Sequence, residues 1–202
     1  MESTLRSAWL LNVALLQLED QSGYPRLERA LIEQLLAQLD ALEQTSGLAG
    51  IVVTGTPQAF AVGANLAEVS ALGPLNALRF SGLGQRLMQR IERYAKPVVA
   101  AVRGYCLGGG FDLALACHVR IAAENAVFAH PGGSLGIITG WGGTQRLPRI
   151  IGRGRSLELL ITGRTLTAAE ALASRLVSRV VPADDVVSAA VALLETAAAK
   201  QR

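Results

Sequence analysis

Two glycine-rich stretches carry residues that could do chemistry. One reads Ala59-Phe60-Ala61-Val62-Gly63-Ala64-Asn65-Leu66, the other Gly104-Tyr105-Cys106-Leu107-Gly108-Gly109-Gly110-Phe111-Asp112. Three glycines at a helix start let the chain turn tightly and leave the first backbone N–H groups without helical acceptors. Such a terminus favours an anion, either a phosphate or a developing oxyanion. A tight turn packed under another strand is the plainer account of the same residues. Asp112 falls in the first turn of that helix, where the dipole favours its ionised form. It therefore suits a base or charge stabiliser better than an acid, or else it is an ordinary acidic helix-start residue. His130 could exchange a proton near neutral pH, or be a satisfied structural histidine. His118, Cys106 and Cys117 read as structural, because no base has a sequence-level claim to either thiol. Two histidines and two cysteines at scattered positions, without CxxC spacing, predict no metal site.

The elements that must position these residues can be read from periodicity. Residues 9–18 are apolar with loose alternation and predict a first strand. Leu27, Ala30, Leu31, Leu35, Leu39 and Leu42 recur near helical period and predict a helix over 26–44. Further strands are expected at 50–54, 97–103, 119–122, 127–129 and 177–181. Further helices are expected at 76–94, 111–116, 144–150, 156–161, 168–173 and 186–200, the last N-capped by Asp184. A loop is expected from 55 to 66, and the glycine-rich run 131–143 carries few regular signals. Strands alternating with helices call for a mostly parallel α/β arrangement. No linker, low-complexity segment or long repeat divides the chain, so residues 1–202 read as one domain.

Composition narrows the function classes. The 202 residues are 50% apolar and 17% charged, enough for one soluble core. The longest apolar runs are too short to span a bilayer, and residues 1–20 lack a cleavage pattern, so no membrane segment or leader is expected. The net charge of +3 is scattered and aromatics make up 4%, which argues against a nucleic-acid platform. A reduced, cytoplasmic protein is expected. The text lacks Gly-x-x-x-x-Gly-Lys-Ser/Thr, and Gly108-Gly109-Gly110 lacks the GxGxxG spacing, which disfavours a nucleotide-phosphate binder.

Taken together, the motifs point to a family. Phe60-x-x-Gly63-Ala64-Asn65-Leu66 resembles the first signature of the crotonase (enoyl-CoA hydratase/isomerase) superfamily, and Gly104-Tyr105-x-x-Gly108-Gly109-Gly110-x-Asp112 resembles its second. Gly142-Gly143-Thr144-Gln145-Arg146-Leu147-Pro148, Thr162-Gly163-Arg164 and Ala168-Ala169-Glu170-Ala171-Leu172 agree in order and spacing. The resemblance covers roughly residues 10–190. It implies a ββα spiral core over 1–182 and a terminal helix over 183–202, shorter at the C-terminus than the family pattern. It implies an acyl-CoA thioester substrate, with the coenzyme part of the substrate and no separate cofactor. It also implies a homotrimer or hexamer that binds neither nucleic acid nor membrane.

By position, the N–H groups of Ala64 and Gly109 would form an oxyanion hole for the thioester carbonyl. The coenzyme would lie against the backbone of Arg26, Leu27, Ala59, Phe60 and Ala61, and Trp141 would wall the acyl pocket. Family hydratases use two carboxylates. Asp112 stands at the first position, where Glu is usual, and Gly132 stands at the second. The resemblance therefore implies one-base chemistry at Asp112: isomerisation, decarboxylation or thioester hydrolysis. Hydration would need His130, or a water or small anion held in space left beside Gly132-Gly133. A non-catalytic acyl-CoA-binding protein is the second class. Asn65, in place of Asp, is expected to order its loop. Ala67 stands where many members place a coenzyme-binding Lys, with Arg79 as an alternative cation.

Overall fold

The computed structural model describes residues 2–200. In chain order the elements are β1 (Thr4–Leu10), β2 (Val13–Glu19), α1 (Arg29–Glu43), β3 (Gly50–Thr54), β4 (Ala59–Ala61), α2 (Leu66–Ser70) and α3 (Pro74–Glu92). There follow β5 (Val98–Val102), β6 (Tyr105–Leu107), α4 (Gly109–Ala116), β7 (Val119–Ala123), β8 (Val127–Ala129), α5 (Gly143–Ile151) and α6 (Arg153–Thr162). The chain ends with β9 (Leu166–Thr167), α7 (Ala168–Ala173), β10 (Arg179–Val181) and α8 (Val186–Ala199).

A unit of long strand, tight turn, short strand and helix recurs three times, beginning at β3, β5 and β7. The long strands build a six-stranded sheet in the order β1-β2-β3-β5-β7-β10, parallel except for the β1–β2 hairpin. The short strands build a second sheet, β4-β6-β8-β9, stepping along beside it. This is the spiral expected from the sequence motifs.

Strands buried on both faces need unbroken apolar text rather than alternation. β5 shows why. Val98, Ala100 and Val102 enter the main core, while Val99 and Ala101 enter a second core. That second core lies on the sheet's other face, where Val186, Ala190 and Leu194 of α8 cover it. Double-sided burial accounts for the apolar excess of the composition.

Several expectations need correction. Residues 9–18 are not one strand: the chain reverses at Leu11-Asn12 and pairs Leu10 with Val13. Leu11 takes a positive φ of 58° and is 81% exposed, so the turn is made by a residue type that signals none. The loop expected over 55–66 contains β4, and β6 precedes α4. Asp184 does not cap α8. It sits in a single 3-10 turn, Ala183–Asp185, and the N-cap position falls to Asp185, whose side chain makes no capping bond.

Candidate active site

Two backbone turns meet at the N-terminus of α4. Gly108 adopts φ 52° and ψ −120°, a region open essentially to glycine. Its N–H is held by the Ala129 carbonyl at 2.9 Å. The facing turn is held equally firmly. The Val62 N–H donates to Pro25 (2.9 Å) and the Gly63 carbonyl accepts from the Leu27 N–H (2.8 Å). Asn65 then caps α2, accepting from the Ala67 N–H and donating through Nδ2 to Glu28 Oε1 at 2.8 Å. The loop-ordering role expected of Asn65 is thus present. Between the two turns, the N–H groups of Ala64 and Gly109 have no acceptor among the described residues.

A cavity of about 340 Å³ opens beside these groups. Its walls are glycine backbone and apolar side chains, including Val69, Leu72, Phe80, Trp141 and Leu160; Ser81, Asp112, His130 and Thr139 are its polar side chains. Of the residues expected to act, Ala64, Gly109, Asp112, His130 and Gly132 all line it, as does Trp141. Arg26, Leu27, Ala59, Phe60 and Ala61 do not. The last four are fully buried, and Arg26 leans toward Asp20 with Nη1 at 3.8 Å.

Asp112 is 1% exposed. Burial raises its pKa from 3.8 to about 6, against the opposing pull of the Thr139 hydroxyl, the Arg146 charge and the Trp141 and Gly143 amides. The Thr139 hydroxyl donates to Oδ2. Both amides favour the anion, but neither completes a hydrogen bond to Oδ1, which stays unpartnered. His130 lies 4% exposed, stacked on Phe111 at 4.8 Å, with Nε2 3.6 Å from Asp112 Oδ1 and both ring nitrogens unpartnered. Burial lowers its pKa to about 4, so at neutral pH it is the uncharged imidazole. The pair is therefore carboxylate beside neutral ring, not an ion pair. Gly143 permits this closeness: a Cβ there would meet Asp112 Oδ1 and stand 2.8 Å from His130 Nε2.

Trp141 is 6% exposed and edge-on to Phe80, with ring centroids 5.4 Å apart. A Cβ at Gly109 or at Gly84 would overlap its indole. It both walls the cavity and packs two helices. At Gly132 a Cβ would run into the Ile137 carbonyl, whose own N–H is bonded to Gly132 O at 2.9 Å. A side chain at position 132 is thus excluded, while Gly132 and Gly133 themselves line the cavity. Above Gly133 stand the carbonyls of Leu160 and Ile161, which repel an anion. Thr139 was missed in the sequence, where it is one hydroxyl among glycines.

The other reactive residue types are occupied structurally. His118 Nδ1 accepts the Val98 N–H at 2.9 Å. Burial pushes the Cys106 thiol well up and Cys117 up to about 12, so neither is a thiolate. No group of three or more potential metal ligands occurs among the described residues, and no described helix is long and apolar enough to cross a membrane.

A family model described as enoyl-CoA hydratase/isomerase matches residues 11–202. A probable enoyl-CoA hydratase of Bacillus subtilis is 43% identical over 153 residues, which are 75% of this chain and 59% of that protein. A probable enoyl-CoA hydratase of Mycobacterium bovis is 38% identical over 184 residues, covering 91% of this chain and 71% of that protein. The crystal structure of an enoyl-CoA hydratase from Bacillus anthracis superposes with a TM-score of 0.92 at 35% identity, over 96% of this chain and 76% of that one.

Proposed function

Because this chain belongs to the enoyl-CoA hydratase/isomerase family, we propose that its cavity takes the acyl end of a CoA thioester and that Asp112 moves a proton there. The observation that carries this reading is the pairing of a buried carboxylate with two backbone N–H groups that have no acceptor among the described residues, on one apolar cavity. The thioester carbonyl oxygen would sit between the Ala64 and Gly109 N–H groups. As Asp112 removes a proton from the adjacent carbon, the electron pair passes into the carbonyl and the oxyanion forms against those donors. Each such donor contributes about 2.7–4 kcal/mol to the transition state. The coenzyme portion extends outside the cavity, along the backbone near Arg26–Leu27.

One-base chemistry follows from the neighbours. Gly132 has no side chain and no room for one, and His130 is already deprotonated at neutral pH. Asp112 can take a proton from C2 of a 3-enoyl thioester and return it at C4, which gives the 2-enoyl isomer. Hydration is the second reading. It rests on the pairing of His130 with Asp112 in the cavity wall, Nε2 3.6 Å from Oδ1; a water held in the cavity by this pair would be the nucleophile.

Incubation with crotonyl-CoA and a 3-enoyl-CoA, followed by chromatographic separation of the isomers and mass spectrometry, separates these readings. Isomerisation without added water supports the one-base reading. Addition of water to crotonyl-CoA supports the shared-water reading. Binding with neither change leaves an acyl-CoA-binding module. The trimeric or hexameric assembly is part of the same proposal, and sedimentation velocity measures it directly.

A further inference from the structure

The segment 136–142 folds back over the cavity and is tied down by several hydrogen bonds, four of which matter here. The Ile137 N–H bonds to Gly132 O, Gln85 Nε2 to Gly140 O, and Arg146 Nη1 to Trp141 O, each at 2.9 Å. The fourth tie is the Thr139 hydroxyl on Asp112 Oδ2. The first three join the segment to the scaffold and would hold it without Thr139. Of these four, only the fourth reaches the carboxylate, whose ionised form the Trp141 amide of the same segment also favours. The hydroxyl occupies one of two chemically equivalent oxygens; Oδ1, without a hydrogen bond, is packed beside His130 and Gly143.

We propose that Thr139 is a positioning residue that holds Oδ2 of Asp112 and so fixes the carboxylate plane against the bound acyl group. The inference rests on the one-base reading above, in which Asp112 is the base. An anchored carboxylate has one rotamer to react from, whereas a free one must find its orientation in each turnover. A donor to Oδ2 also favours the ionised form, so the same bond keeps the base deprotonated.

The charged and titratable groups around Asp112 are His130 at the end of β8, Arg146 on α5 with its partner Glu92 on α3, and the Cys106 thiol on β6. None of these is altered by a change at position 139. A shift in the pH profile of a Thr139 variant would therefore report the lost hydroxyl.

The test compares Thr139→Val, Thr139→Ser and Asp112→Asn with the unaltered protein. 3-Enoyl-CoA is supplied in deuterium oxide; chromatography separates and counts the isomeric product, and mass spectrometry counts the exchanged deuterium. Thr139→Val is expected to lose about ten- to a hundredfold in kcat with KM nearly unchanged. The acidic limb of its pH profile is expected to move to higher pH. Thr139→Ser should restore both. Thr139→Ala adds no bulk, carries the same expectation and replaces Thr139→Val wherever the latter melts early. If Thr139→Val or Thr139→Ala keeps its kcat and its acidic limb while Asp112→Asn is inactive, the positioning role is overturned and the one-base reading stands. If Asp112→Asn keeps its full rate, the base reading itself falls, and this inference with it.

Discussion

At the scale of single residues, the fold tolerates a carboxylate where an uncharged group would serve stability better. Asp112 has its pKa raised from 3.8 to about 6 by burial. A raised acid binds its proton more tightly in the folded state, so stability is lost as pH rises through that interval and stays lost above it. The shift corresponds to a penalty on the order of 3 kcal/mol at neutral pH. Asp112→Asn is thus expected to melt at a higher temperature than the unaltered protein at pH 8, with the difference closing as pH falls toward 4. The same variant should lose about 10²–10⁴ in turnover, the scale of one positioned base. In the unaltered protein, kcat/KM should fall below pH about 6 as the base is protonated. His130, neutral down to pH about 4, should add no further limb in between. Asp112, Gly109 and Ala64 were legible because their motifs are local in the chain. Thr139 was not, because its bond joins positions 27 residues apart through a segment with no periodic text.

At the scale of elements, one indole joins α3, α4 and the segment between β8 and α5. Trp141 fills the space that a side chain at Gly84 or Gly109 would need. Gly84→Ala gains about 1 kcal/mol of helix propensity but overpacks the indole, which typically costs about 1–3 kcal/mol. A net loss of stability in thermal melts is expected. Turnover should fall too, since the displaced ring presses on Gly109 at the start of α4. The longer helices and the doubly buried strands were readable because each repeats one pattern over at least a full turn or several residues; the five-residue α2 was not expected. The β1–β2 hairpin was not, because Leu11 turns the chain without glycine or proline. β4 and β6 were missed because each lies inside a glycine-rich stretch read for its turns, whereas the equally short β8 was expected. The α8 cap was misread because two adjacent aspartates offer the same signal.

At the scale of the whole molecule, the six-stranded sheet separates two cores with different duties. The cavity belongs to one face, while α8 seals the other with Val186, Ala190 and Leu194. Leu194 is 1% exposed and packs against Gly50, where a Cβ would collide with it. Leu194→Ala should cost about 2–5 kcal/mol in denaturant unfolding. It should leave kcat and KM of the folded fraction unchanged, because the sheet stands between it and the cavity. The sheet's two faces also separate the chain's two tryptophans in optical character. Trp9 is half-exposed on the edge hairpin, and Trp141 is buried in the cavity wall. In a Trp9→Phe protein excited at wavelengths that tyrosine does not absorb, the emission would come from the ring that touches the start of α4. Its fluorescence should be blue-shifted, and it should change when an acyl group enters. Occupancy could then be followed in real time by light alone, whichever product is formed.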